Sequence, residues 1–153
     1  MTKVIFLDID GPLVNHRTCA NHITPKAYGM MGKFDPIGVQ MVNQLLDDFS
    51  AKLVISSTWR LTYGSHMSHV LNIAGINTNN LFDGGDKKAK SADGDNWPTY
   101  FTPKGKDVGF HKGSGRHNEI ATWLDTHMSR ISNFLIIDGL LLTSFHFILL
   151  VIF

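Results

Sequence analysis

Three short apolar runs each break off abruptly into polar residues, and this pattern constrains the fold of the chain more than any other feature. Lys3-Val4-Ile5-Phe6-Leu7 gives way to Asp8-Ile9-Asp10-Gly11-Pro12. Lys52-Leu53-Val54-Ile55 gives way to Ser56-Ser57-Thr58, and Phe134-Leu135-Ile136-Ile137 to Asp138. Apolar runs of this length, without alternation, read as strands covered on both faces. Helical signals lie between them. Asp35 is placed to cap a helix that Pro36 starts, and Met41, Val42, Leu45, Leu46 and Phe49 recur at helical spacing over about 36–49. Ser65 is placed to cap a helix carrying Met67, Val70, Leu71 and Ala74, with Gly75 as its stop. A further helix is expected from about 116 to 128, with Ile120, Trp123, Leu124, His127 and Met128 on one side. Strands alternating with amphipathic helices predict an α/β domain built on a parallel sheet.

The length of 153 residues predicts a single domain over 1–153. With 43% hydrophobic and 18% charged residues the chain can bury a core. Its formal net charge of +1 excludes a strongly basic nucleic-acid coat protein and an acidic solvating tail. Cys19 is the only cysteine, which excludes an intramolecular disulfide and a cysteine-cluster metal site. That usage, with no signal-peptide pattern at the start, gives a cytoplasmic expectation. Residues 12–35 read as loop. Residues 83–115, rich in Gly, Asp, Lys and Ser, read as a long loop or small insertion. Its Trp97, Tyr100 and Phe101 suit either base stacking or a small local core, and Lys87-Lys88-x-Lys90 suits a solvated face. The scattered histidines lack the spacing of a zinc site. The apolar tail at 140–153 is atypical. Asp138 would be expensive in lipid, so the expectation is a buried strand or a damaged C-terminus rather than a membrane anchor.

In open parallel sheets the ligand site lies beyond the carboxyl ends of the strands. Asp8 and Asp10 leave the first strand, Ser56, Ser57 and Thr58 the second, and Asp138 the third, while Lys112 and Arg116 stand at the approach to the last helix. Neighbouring strands would bring all of these together. Carboxylates from two strands make an oxygen-rich site suited to Mg²⁺. Hydroxyl and backbone N–H groups hold phosphate oxygens, and a basic side chain balances charge on a transferring phosphoryl group. Asp8 can then serve as nucleophile and Asp10 as acid and base. Gly11 lets the chain turn at once, keeping both acids at the strand mouth.

Asp8-Ile-Asp-Gly-Pro-Leu after an apolar strand resembles the first motif of the haloacid dehalogenase-like (HAD-like) phosphatases. Val54-Ile55-Ser56-Ser57-Thr58-Trp59-Arg60 resembles the second, and Ile136-Ile137-Asp138 the start of the fourth. Lys112 is a candidate for the basic third motif, with Arg116 as the alternative. The Ser-Ser-Thr-Trp-Arg string and Glu119-Ile120-Ala121-Thr122-Trp123-Leu124 are more particular. They are similar to the small HAD-like domains associated with RNA-repair proteins, often found in phages and bacteria. The resemblance covers roughly residues 3–138.

It implies a Rossmann-like parallel sheet with flanking helices, Mg²⁺ dependence and phosphate-ester hydrolysis. It makes Asp8 the nucleophile and a metal ligand. Asp10 becomes the acid/base, with its backbone carbonyl on the metal. Ser56 becomes the phosphoryl-binding hydroxyl, with Ser57 the second choice, and Asp138 the remaining metal carboxylate. Thr58, Arg60 and Arg116 join Ser57 as candidate substrate contacts. The segment between the first two motifs houses no large cap domain, which leaves an open site suited to a nucleotide or a nucleic-acid end. No stable protein partner is implied.

One departure stands out. The fourth motif of such enzymes carries a second acid directly after the first or a few residues later, whereas Gly139 follows Asp138 and no acid occurs in 140–153. The alternative expectation is therefore a catalytically weak or inactive module that binds phosphate or nucleic acid. A third is a membrane-tethered form held by the tail.

Overall fold

The computed structural model describes residues 1–15, 34–85, 88–90, 96–104, 115–139 and 148–152. Strand β1 (Thr2–Leu7) is central, and its Val4, Ile5, Phe6 and Leu7 are all buried. Helix α1 (Pro36–Asp48) starts where expected. Asp35 accepts a hydrogen bond from the Ile37 amide at 3.1 Å, Pro36 opens the first turn, and Val39, Val42 and Leu46 face the core. Asp35 also accepts from the Asn15 side-chain Nδ2 at 3.0 Å, which ties the loop after β1 to the start of α1.

Strand β2 (Ala51–Ile55) lies parallel to β1, with Leu7 opposite Ile55. Helix α2 (Trp59–Tyr63) follows after three residues, then a 3₁₀ turn at Gly64–His66, then helix α3 (Met67–Ile73). This differs from the sequence expectation. Ser65 sits inside the 3₁₀ turn and caps nothing through its side chain, although Met67, Val70 and Leu71 are buried as expected. Helix α2 escaped the reading because five residues hold too little periodicity to signal themselves.

Strands β3 (Lys88–Lys90) and β4 (Asn96–Pro98) form a separate antiparallel pair. The chain then runs beside β2: the Ile55 amide donates to the Tyr100 carbonyl at 2.7 Å, and the Thr102 amide to the Ile55 carbonyl at 3.1 Å. Tyr100 and Phe101 are buried, and the half-buried Trp97 ring lies 5.1 Å from Phe101. Of the two readings for these aromatics, local packing is the one seen for all three.

Helix α4 (Arg116–His127) leads through a short 3₁₀ turn into β5 (Ile131–Asp138), parallel to β1 on its other side. Strand β6 (Ile148–Ile152) closes the tail antiparallel to β5, so the sheet order is β2-β1-β5-β6. Among the described residues there is no large cap domain, and no helix is long and apolar enough to cross a membrane.

Candidate active site

The central place of β1 brings the three polar strand ends together. The Asp8 amide donates to the Ile137 carbonyl at 2.8 Å and the Ser56 amide to the Leu7 carbonyl at 3.0 Å, so the ladder runs one step past each strand. Asp8 is 1% exposed, and its Oδ1 accepts from the Ile9 amide at 2.8 Å. Ile9 is buried between two acids, and the amides of Leu13 and Val14 both return to its carbonyl. That tight loop turns at Gly11, whose φ of +98° is left-handed backbone suited to glycine. Asp10 is therefore carried to the surface at the mouth of the strand.

Arg116, the first residue of α4, reaches into this mouth. A single nitrogen, Nη1, pairs with Asp8 Oδ2 and lies 3.0 Å from Asp138 Oδ2. Burial raises the Asp8 carboxyl above the usual carboxylate range. The Arg116 charge and hydrogen bond and the Ser57 hydroxyl pull it partly back, and Asp138 adds to the rise. Burial opposes the Arg116 charge as well, but Asp8 and Asp138 more than offset it.

The hydroxyl that touches Asp8 belongs to Ser57, not Ser56. The sequence made Ser56 the first choice for the phosphoryl-binding hydroxyl and Ser57 the second. The Ser56 side chain is fully buried, and among the described residues its hydroxyl has no hydrogen-bond partner. Alternation along extended backbone turns one serine toward the acids and its neighbour away. Thr58 is exposed at the start of α2. Lys112 lies outside the described residues; Arg116, the other basic candidate, pairs with Asp8.

Arg60, a candidate substrate contact in the sequence, is 1% exposed, with every N–H group engaged. Nε donates to the Thr102 carbonyl at 3.0 Å, and Nη1 to the carbonyls of Ser56 at 2.9 Å and Ser57 at 2.6 Å. Nη2 donates to the Pro103 carbonyl at 3.1 Å and to Glu119 Oε2 at 2.6 Å. The guanidinium therefore pins the Ser56–Ser57 turn to the segment beside β2 and to the first turns of α4. Trp59 both packs and donates a hydrogen bond at the strand mouth. Its indole N–H donates to Asp10 Oδ1 at 3.0 Å while its ring packs edge-on against Phe34. The signal for both roles was present in Ser-Ser-Thr-Trp-Arg at a strand end, but nothing in one sequence names the partners.

The donor set suits a hard divalent cation. Two carboxylates from different strands already converge on one positive nitrogen, and the Asp10 carbonyl lies against Gly139, the residue after Asp138. A Cβ on Gly139 would lie 2.7 Å from that carbonyl oxygen and 2.7 Å from the Gly11 Cα, so only glycine keeps the place open. Among the described residues no cluster of three or more His, Cys, Asp or Glu side chains gathers.

Comparison with curated proteins and with solved structures gives no match. A family model does match, over residues 4–148, and its description is a HAD domain in Swiss Army Knife RNA repair proteins. The match takes in all three strand ends, the Trp59–Arg60 pair and Arg116. The chain belongs to this family of HAD-like domains, within a superfamily of hydrolases and phosphatases.

Proposed function

We propose that the protein is a Mg²⁺-dependent phosphomonoester hydrolase that works through an aspartyl-phosphate on Asp8. The observation that carries this is Asp8 itself, a buried carboxyl held between Ser57 and Arg116 with Asp10 two residues on and Asp138 opposite. A cation bound by the Asp8 and Asp138 carboxylates and the Asp10 carbonyl would neutralise charge between the attacking carboxylate and the phosphate.

The chain's own residues do the rest. Arg116 and Ser57 hold the phosphoryl oxygens. An Asp8 oxygen attacks phosphorus, the ester P–O bond breaks, and Asp10 protonates the leaving oxygen. Asp10 then takes a proton from the water that hydrolyses the acyl phosphate, which frees inorganic phosphate and restores Asp8. The Trp59 indole fixes Asp10 by one oxygen and leaves the other for this proton. The RNA-repair setting of the family supports a nucleotide or nucleic-acid end as substrate, and so does the lack of a large cap among the described residues.

The test is phosphate release from an aryl phosphate and from a 3′-phosphorylated oligonucleotide. Release is expected with Mg²⁺, none after chelation, and a loss of about a thousandfold or more in Asp8→Asn. A preference for the oligonucleotide supports the substrate class, and equal rates count against it. Gly139 in place of a second acid favours a second reading, a module that binds phosphate without turning it over. Oligonucleotide binding with no release from folded protein would establish that reading instead.

A further inference from the structure

Resting on the metal site just proposed, we infer that Arg116 is an exchangeable counter-ion, which yields its place between Asp8 and Asp138 to a divalent cation and thereby becomes available to phosphate. The geometry is specific. One nitrogen, Nη1, serves both Asp8 Oδ2 and Asp138 Oδ2. A cation bound to those two oxygens would sit about 2 Å from each, in the space this nitrogen fills. Two positive centres cannot share it.

Three features decide which one gives way. Arg116 stands in the first turn of α4, where the helix dipole disfavours a positive charge, so its hold depends on the two carboxylates. Its side chain is 16% exposed and long enough to swing outward while anchored at the same Cα. Among the described residues it makes no bond to the Asp10 carbonyl, an oxygen that a hard cation would add to the other two. Released, the guanidinium keeps a planar fork suited to phosphate oxygens and remains at the site mouth. Cation and phosphate then bind with positive coupling, because each favours the arm position that suits the other.

The experiment titrates Mg²⁺ alone into the purified full chain by calorimetry, then repeats it with inorganic phosphate at saturation. Phosphate should tighten Mg²⁺ binding by about tenfold, within the usual range of coupling between sites. Arg116→Gln should bind Mg²⁺ alone about tenfold more tightly than the wild type and lose the response to phosphate. Arg116→Lys, which keeps a charge but cannot reproduce the fork, should fall between them. Wild-type Mg²⁺ binding that is indifferent to phosphate overturns the proposal, whether or not either variant folds. Equal or weaker Mg²⁺ binding by folded Arg116→Gln also overturns it. Because nothing here depends on turnover, the two readings fail separately. Coupling without phosphate release removes the catalytic reading alone, and release without coupling removes this one alone.

Discussion

Asp8 occupies a position that opposes its own ionisation. Its carboxyl titrates above the ordinary value near 3.8, chiefly because it is buried, with Arg116 compensating only in part. The folded chain therefore holds this proton more tightly than the unfolded one. The stability contributed is complete below about pH 3.8 and is lost as pH rises through the higher folded value. Asp8→Asn removes the cost of ionisation. In chelator-treated protein it should be more stable than wild type at pH 7.5 by about 0.5–2 kcal/mol, with the gap narrowing at pH 4. Urea midpoints at the two pH values measure this. A variant less stable at both would mean that the Asp8–Arg116 pair outweighs burial. The acids were legible in the sequence because each stands at the end of an apolar run. The choice between Ser56 and Ser57 was not, since adjacent hydroxyls differ only in which way the backbone faces them.

The Arg60 guanidinium makes one unit of three segments, each carrying part of the mouth: the turn with Ser57, the strip at 102–103, and α4 with Arg116. Sequence patterning locates such segments well. The helix over 36–49, both flanking strands and the last helix all lie where apolar spacing puts them, because burial of a face imposes that spacing. It is silent about ties between segments, since Arg60 and Glu119 are 59 residues apart and neither interrupts a pattern. Arg60→Met would take the side-chain donor from four carbonyls, of which Ser57 keeps the residue 60 amide and Thr102 the Trp97 indole, and would leave Glu119 without its cation. We expect a loss of about 3–5 kcal/mol, read by chemical denaturation. A loss under about 1 kcal/mol would show that the turn holds itself.

At the scale of the whole molecule, β1 between two parallel neighbours makes three distant stretches of sequence into one mouth. Strand β6 takes the outer side of β5, pairing from Phe134 opposite Ile152 to Asp138 opposite Ile148. Without it β5 would become an open edge, with its hydrogen-bonding groups free to recruit other chains. A chain ending at 139 should therefore unfold at lower denaturant and scatter more light at equal concentration than the full chain. Unchanged midpoint and scattering would mean that β6 protects nothing. The back-to-back contact of Gly11 and Gly139 bears on how such a chain can change over generations. An acid placed at 139 meets the Asp10 carbonyl and the Gly11 backbone before it can meet a ligand, so that single substitution starts downhill. A lineage gaining a carboxylate there must first reshape the loop at 10–12, at the cost of the turn that holds Asp10. The order of those steps, more than the number of them, limits which neighbouring sequences it can reach.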